Sequence, residues 1–230
     1  MTGASGPTDC CFDGWAAHDA RRARTRETSA RITAHLVAAI TDGDPGGRTL
    51  LDIGCGSGDL ALASLARGAA YAIGLDLGPG AIEVARSLAA ERGLAERSRF
   101  EVADAATIEL PRADIVTLNR VLCCYPRVDA LLSNTLTATD SVYAYTAPRD
   151  RGPIGAVNRL ITWSGNVWYR VRAQKFRGFR AYVHDLREVD EHIRAAGFRS
   201  IRRERRGLWD LAVYVREGST ESQVPKGDFI

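Results

Sequence analysis

The amino-acid sequence predicts an α/β fold in which helices cover both faces of a mostly parallel β-sheet. Short apolar runs alternate with longer amphipathic runs from residue 49 onward, a pattern typical of parallel strands joined by right-handed helical crossovers. The chain ends differently, because the last two predicted strands, 199–205 and 208–215, are separated only by Arg206 and Gly207. This short connection predicts an antiparallel hairpin at the C-terminal end of the sheet.

The predicted elements follow one another in a regular order. Before the sheet, residues 14–40 have a helical pattern, which ends at the glycine-rich break 42–47. The predicted strands that precede the hairpin lie at 49–53, 70–75, 99–103, 113–118 and 141–145. The predicted helices between and after them lie at 60–66, 80–92, about 128–136 and 189–196. Gly197 is expected to end the last helix.

Length and composition are those of one well-cored domain. The chain has 230 residues, of which 45% are hydrophobic and 26% charged. We expect residues 1–45 to form an N-terminal tail and helical cap, 46–217 the main domain with an insertion at about 148–184, and 218–230 a flexible tail.

No apolar run reaches the roughly 20 residues that a membrane span needs, and the N-terminus lacks the pattern of a secretory signal. A cytoplasmic enzyme is therefore expected.

Cysteine spacing and charge narrow the choice of partners. The cysteines at 10, 11, 55, 123 and 124 match neither a disulfide framework nor metal-ligand spacing, so we expect reduced thiols that pack as small apolar residues, and no metal. The net charge of +3 is too small to indicate a nucleic-acid partner. The positive charge is local, since residues 148–184 contain seven arginines and one lysine against one aspartate.

A glycine-rich loop follows the first predicted strand. Gly54, Gly56 and Gly58 alternate there and lead into a helix, so the backbone can turn tightly and approach a ligand closely. A dinucleotide-binding loop would need its third glycine at position 59, where Asp59 would repel a pyrophosphate. Asp52 precedes the loop by two residues and can help to position an ammonium group. The loop therefore disfavours a nicotinamide dehydrogenase.

Polar residues follow the next three predicted strands. Asp76 comes 22 residues after Gly54, where a carboxylate can accept both hydroxyls of a ribose. Asp104 follows the third strand and can bind the exocyclic amine of adenine, and Asn119 with Arg120 ends the fourth. Each residue alone is also explained by a turn or a helix cap. Their combination at one sheet edge, in this order, predicts a nucleoside-binding site.

At these residues the sequence resembles the class I S-adenosylmethionine-dependent methyltransferases, from about Thr49 to Arg216. The resemblance implies a Rossmann-like, seven-stranded, mostly parallel sheet whose final strand is antiparallel, with S-adenosyl-L-methionine as the cofactor. It implies that the loop holds the methionine part, Asp76 the ribose, and Asp104 with Ala105 the adenine. The full predicted cofactor site is Asp52, Gly54, Cys55, Gly56, Gly58, Asp76, Leu77, Asp104, Ala105 and Asn119.

A narrower resemblance is to the magnesium-protoporphyrin O-methyltransferases. The sequence matches their motifs at Phe12, at Tyr125 with Pro126, and at Tyr182 with His184. It departs from them at Cys11 and Cys124, which stand where those enzymes have tyrosine and histidine. The resemblance therefore implies a related architecture with a different acceptor.

Two residues are candidates for catalysis. A phenol, alcohol or amine acceptor usually needs a base within hydrogen-bond reach, whereas a carboxylate needs none. His184 is the first candidate because histidine titrates near neutral pH, and Tyr125 is the second, as a hydrogen-bond donor. Structural roles in backbone bonding and packing remain open for both. The run 119–122 lacks the prolines of the Asp/Asn-Pro-Pro-aromatic motif, which disfavours amino methylation of nucleic acids.

The insertion combines apolar residues at near-helical spacing with arginines. It is consistent with a lid over a hydrophobic anionic acceptor, with a helix packed on the domain or a second subunit, and with a membrane-surface or nucleic-acid patch. The predicted acceptor-binding residues are Arg120, Trp163, Trp168 and Tyr182. We expect a monomeric or homodimeric enzyme that O-methylates a hydrophobic or aromatic small molecule; N- or C-methylation and an inactive cofactor-binding scaffold are the alternatives.

Overall fold

A seven-stranded β-sheet forms the centre of the structure, a computed structural model that describes residues 31–41, 46–126, 128–171 and 179–219. The strands are β1 (Thr49–Ile53), β2 (Tyr71–Asp76), β3 (Ser98–Val102), β4 (Ala113–Asn119), β5 (Thr139–Pro148), β6 (Phe198–Arg206) and β7 (Trp209–Arg216). Their order in the sheet is β3-β2-β1-β4-β5-β7-β6.

The first five strands are parallel and the last strand is antiparallel to both of its neighbours. β1 pairs with β2 on one side and with β4 on the other, so the carboxyl ends of these strands lie side by side. β7 inserts between β5 and β6, and Gly207 at the hairpin turn has a φ of 57°. The predicted fold class is therefore confirmed, including the C-terminal antiparallel hairpin.

Six α-helices surround the sheet in the described residues. They are α1 (Arg31–Thr41), α2 (Asp59–Ala66), α3 (Pro79–Glu91), α4 (Val128–Thr137), α5 (Gly152–Val171) and α6 (Leu186–Ala195). Gly197 follows α6 with a φ of 85°, as expected of a residue that ends a helix. A 3₁₀ turn, Leu122–Cys124, follows β4. None of the described helices is both long and apolar enough to cross a membrane.

Alternating side chains along the strands build two separate cores, one on each face. Leu50 of β1 packs with Leu36 of α1 and Leu62 of α2, whereas the next residue, Leu51, packs in the other core with Ile193 of α6. Successive side chains of a strand point to opposite faces, so both faces must be covered. The helices on both faces that the apolar runs predict are thus present.

Parts of the predicted domain organisation lie outside the described residues. Of the predicted N-terminal helix 14–40, the structure describes residues 31–40 as part of α1. The Cys11-Phe12 motif and residues 220–230 of the predicted C-terminal tail lie outside the described residues. The insertion contains the 20-residue helix α5. The division into cap, domain and tail remains a prediction.

Candidate active site

A cavity of about 380 Å³ opens at the carboxyl edge of β1, β2 and β4. Nine of the ten residues predicted to bind the cofactor line it, the exception being Gly58. The predicted acceptor residue Arg120 and the catalytic candidate Tyr125 line it too. The nine are Asp52, Gly54, Cys55, Gly56, Asp76, Leu77, Asp104, Ala105 and Asn119.

The glycine loop bends the backbone in a way that only glycine adopts readily. Gly54, Gly56 and Gly58 all have positive φ values, of 63°, 54° and 76°. A Cβ atom added at Gly58 would lie 2.9 Å from the ring of Phe100, so this glycine permits close packing of the loop. A Cβ added at Gly56 would meet nothing within 4 Å. Gly56 lines the cavity, and a side chain there would meet no protein atom.

The carboxylate of Asp76 connects β2 to the glycine loop. Its Oδ2 accepts a hydrogen bond from the backbone N–H of Gly56 over 2.8 Å, and its Oδ1 accepts one from Gly78, also over 2.8 Å. Asp76 is only 9% exposed and lines the cavity. These two bonds fix the orientation of the carboxylate beside the glycine loop.

Asp52 lies at the floor of the cavity and is 1% exposed. Burial raises its pKa from 3.8 to about 7; a hydrogen bond from Thr117 opposes the shift, and the carboxylates of Asp59 and Asp76 add to it. The Thr117 hydroxyl donates to Oδ1 of Asp52 over 2.8 Å. A cation bound nearby would favour the ionised form of this carboxyl group.

The other two polar strand ends are also held in place. Oδ1 of Asp104 accepts from the Tyr125 hydroxyl over 2.7 Å and from the Ala106 N–H over 3.0 Å. The amide of Asn119 donates to the hydroxyl of Thr33 in α1 over 2.9 Å, and its oxygen accepts from Thr146 over 2.8 Å. Asn119 therefore links the helical cap to the sheet edge.

Arg120 has a φ of 64°, which is uncommon outside glycine and occurs at functional sites. Its N–H bonds both the backbone and the hydroxyl oxygen of Thr146, at 3.3 and 2.9 Å. Its guanidinium lies 5.5 Å from the centre of the Trp209 ring. Arg120 is the single basic side chain among the described residues that line the cavity, whereas four aspartates line it.

His184 and Tyr182, two further predicted site residues, are absent from the described lining. Nε2 of His184 lies 3.1 Å from the backbone oxygen of Tyr125, and the two rings of Tyr182 and His184 stack at 5.6 Å. The N–H of Tyr182 donates to the backbone oxygen of Cys123 over 2.7 Å. Both residues thus hold the backbone of segment 123–125, which lines the cavity, through contacts to its backbone oxygens.

The predicted tryptophans of α5 face away from the cavity. Trp163 is 66% exposed and Trp168 46% exposed. The opposite side of α5 packs on the domain: Asn158 donates to two backbone oxygens, and Asn166 exchanges two hydrogen bonds with Ala181. The near-helical spacing of the apolar residues is consistent with this helix, but it did not show which side faces the domain.

Several lining residues were missed in the sequence. Tyr169 of α5 lies edge-on to Phe179 at 4.8 Å, and both line the cavity together with Trp209. Cys123 and Cys124 also line it, although the cysteine spacing was interpreted as that of small packing residues. The one indication in the sequence that they belong to the site was the motif position of Cys124, where the magnesium-protoporphyrin O-methyltransferases have histidine.

Comparison with known proteins identifies a family model and similar folds. Residues 45–164 match the model of a methyltransferase domain. The chain is 45% identical to the ribosomal protein L11 methyltransferase of Yersinia pseudotuberculosis over 96 residues, which are 42% of this chain and 32% of that protein. The Klebsiella pneumoniae protein of the same name is 41% identical over 93 residues, 40% of this chain and 31% of that one. The chain thus spans about a third of the length of these curated relatives.

Two solved structures show the same fold at low sequence identity. Magnesium protoporphyrin IX methyltransferase from Synechocystis, with bound S-adenosylhomocysteine, has a TM-score of 0.65 at 20% identity, covering 94% of this chain and 90% of that one. An O-methyltransferase family 2 protein from Planctomyces limnophilus, in complex with apigenin, has a TM-score of 0.67 at 19% identity, covering 89% and 61%.

Proposed function

This chain belongs to the methyltransferase-domain family, within the class I S-adenosylmethionine-dependent methyltransferases, and from that premise we propose that it methylates an oxygen atom of a hydrophobic or aromatic small molecule. More narrowly, we propose a carboxylate as the methylated group. The observation that carries this is the division of one cavity into an acidic end and an aromatic end with a single guanidinium.

The acidic end fits a cationic adenosyl compound. Asp52, Asp76 and Asp104 lie in turn along the sheet edge, and Gly56 leaves space where a side chain would fill the cavity. Asp76 would hold the ribose, Asp104 the adenine, and Asp52 the ammonium group of the methionine part. When bound, S-adenosylmethionine supplies an electrophilic methyl group on a sulfonium.

The aromatic end fits a flat apolar acceptor with a negative charge. Tyr169, Phe179 and Trp209 provide aromatic surface, and Arg120 provides a guanidinium that can hold a carboxylate by paired hydrogen bonds. The strained backbone of Arg120 is consistent with a residue that is placed for binding. Much of catalysis in such a transfer is alignment of acceptor and methyl group.

The absence of an evident base favours a carboxylate over a phenol. No histidine is among the described residues of the cavity lining, and His184 faces the backbone oxygen of Tyr125 instead. A carboxylate oxygen is already ionised at neutral pH and needs no base. For a phenol or an amine acceptor, a residue of the cavity lining would have to act as the base.

The test is incubation with labelled S-adenosylmethionine and matched aromatic carboxylic acids, phenols and amines. We expect label on the carboxylic acids, as methyl esters that alkali hydrolyses to methanol. In Arg120→Asn, which keeps a residue that tolerates positive φ, the acceptor KM should rise about tenfold or more, as expected when a charged hydrogen bond is lost. Alkali-stable label on phenols or amines alone would contradict the proposal.

A second candidate function is methylation of a protein. It is favoured by the identity shared with ribosomal protein L11 methyltransferases, although that match covers about a third of their length. Incubation with ribosomal protein L11 would then give alkali-stable label on the protein. A chain that binds S-adenosylhomocysteine but labels none of these acceptors would fit the inactive scaffold.

A further inference from the structure

Two consecutive cysteines lie in the wall of the cavity. Cys123 and Cys124 end the 3₁₀ turn after β4, and both are partly exposed and line the cavity. Their sulfur atoms are 3.5 Å apart, and Sγ of Cys123 lies 3.3 Å from the backbone oxygen of Arg120. Cys55, the third cysteine of the described residues, is buried in the glycine loop.

The surroundings make one thiol of the pair the more acidic. The hydrogen bond from Cys124 lowers the pKa of the Cys123 thiol, desolvation opposes this, and the guanidinium of Arg120 adds to the lowering. The same contact and burial raise the pKa of Cys124. Thiols that are oxidised selectively combine thiolate character, access to solvent and a neighbouring thiol that can form a disulfide.

We propose that Cys123 and Cys124 form a redox modification site, at which a peroxide joins them in a vicinal disulfide and thereby weakens binding at the cofactor end of the cavity. In the first step the Cys123 thiolate attacks one peroxide oxygen, the O–O bond breaks, and the departing hydroxide takes a proton to become water. In the second, the Cys124 sulfur attacks the resulting sulfenic acid, the S–O bond breaks, and water leaves with the Cys124 proton. Two thiols and one hydrogen peroxide thus give one disulfide and two waters.

Closure of this ring strains the backbone of the turn. Consecutive Cα atoms are about 3.8 Å apart across a trans peptide, whereas disulfides usually join Cα atoms about 4.4–6.8 Å apart. The turn is held on both sides. The backbone oxygen of Cys123 accepts the Tyr182 N–H, and Tyr125, the residue after Cys124, donates its hydroxyl to Asp104. A distorted turn would therefore displace the group that holds the Asp104 carboxylate. This last step rests on the proposed role of Asp104 in cofactor binding.

A peptide map tests the disulfide directly. Trypsin cleavage after Arg120 and Arg127 isolates residues 121–127, which contain both cysteines of the pair and no other. After hydrogen peroxide treatment of the full chain, we expect this peptide to become lighter by two hydrogen masses, and dithiothreitol to restore it. Cys124→Ser should abolish the change. A peptide that stays reduced, or that only gains oxygen, would overturn the proposal.

Calorimetry with S-adenosylhomocysteine tests the consequence. We expect the affinity of the oxidised protein to fall by about tenfold, the loss expected when one charge-assisted hydrogen bond is disturbed, and to recover with dithiothreitol. The double variant Cys10→Ser, Cys11→Ser is the matched control, because it removes the other vicinal pair and should keep the response. A disulfide that forms but leaves the affinity for S-adenosylhomocysteine unchanged would overturn the proposed effect of oxidation on binding. A reduced protein without affinity would instead refute the proposed function, while the peptide map still reports on the disulfide.

Discussion

The hydroxyl of Tyr125 donates a hydrogen bond to Oδ1 of Asp104 over 2.7 Å. The backbone oxygen of the same tyrosine lies 3.1 Å from Nε2 of His184. The two catalytic candidates predicted from the sequence are thus linked to each other, and Tyr125 links them to the carboxylate of Asp104 in the cavity. From this arrangement we infer that both are positioning residues.

Tyr125→Phe should weaken cofactor binding and leave the chemical step almost unchanged. The substitution removes a donor to a carboxylate, so the affinity for S-adenosylhomocysteine should fall about tenfold, in the range of 1.5–3 kcal/mol for a hydrogen bond to a charged group. Calorimetry gives the affinity and steady-state kinetics give kcat. Tyr71→Phe, at the start of β2 and outside the described cavity lining, is the control. A large fall in kcat at unchanged affinity would instead make Tyr125 a catalytic residue.

The positioning role of His184 predicts how two substitutions differ. Glutamine can still donate to the Tyr125 backbone oxygen and alanine cannot, so His184→Gln should keep the affinity for S-adenosylhomocysteine that His184→Ala loses. The pH dependence of kcat should be the same in His184→Gln as in the original chain. A general base typically contributes about 10²–10⁴-fold to the rate. A loss of that size in His184→Gln, together with a changed pH profile, would restore the catalytic assignment.

That the residues at the strand ends meet in one cavity could be predicted from the sequence, because they lie at fixed offsets after strands. Gly54, Asp76 and Asp104 each follow an apolar run of recognisable length, and parallel strands bring their carboxyl ends together. Strand and helix ends were predicted to within about two residues, the usual uncertainty of such boundaries, except at β5 and α6, which begin or end three residues away. The fold and family predictions are confirmed.

The rest of the cavity lining could not be predicted in the same way, because separate parts of the chain contribute to it. Thr33 comes from α1, Tyr169 from α5 and Trp209 from β7, and only packing of the folded domain brings them to one cavity. Helix α5 carries aromatic residues on both sides, so periodicity alone did not distinguish Trp168, which faces outward, from Tyr169. The sequence pattern gives the relative positions of residues around a helix, but packing of the helix on the domain determines which of them are buried.

Two glycines of the loop should respond differently to the same substitution. Gly56→Ala places a methyl group in the open space of the cavity, so it should abolish measurable binding of S-adenosylhomocysteine at a modest loss of stability, about 1–2 kcal/mol for the positive φ. Gly58→Ala adds a clash with Phe100 to the same strain and should lower the melting temperature further. Thermal denaturation and calorimetry measure the two effects.

Gly93→Ala is the matched control for this pair. Gly93 also has a positive φ, of 67°, and a Cβ there would meet nothing within 4 Å, but it lies outside the described lining of the cavity. It should therefore share the loss of stability with Gly56→Ala and keep full affinity. Equal affinities for Gly56→Ala and Gly93→Ala would show that the loop does not face the cofactor.

The buried carboxyl group of Asp52 predicts a pH dependence of stability. Burial raises its pKa from 3.8 to about 7, so the cofactor-free folded protein keeps a proton that the unfolded chain releases between these values. The folded state binds more protons in this window, and its stability must therefore fall as the pH rises from about 4 to about 7, by up to roughly 4 kcal/mol. The amide in Asp52→Asn cannot ionise, so the free energy of unfolding of this variant, measured by chemical denaturation, should lack this dependence on pH.

The same group predicts that cofactor binding releases a proton. A ligand ammonium beside Asp52 favours the ionised carboxylate, so the affinity for S-adenosylhomocysteine should rise with pH up to the pKa near 7, and then level off. Calorimetry in two buffers of different ionisation enthalpy counts the released protons. Asp52→Asn should bind more weakly and release none through this group. If the original chain binds equally well across that range without proton release, then Asp52 does not contact the ligand cation, and the acidic end of the cavity must hold the ligand through Asp76 and Asp104 alone.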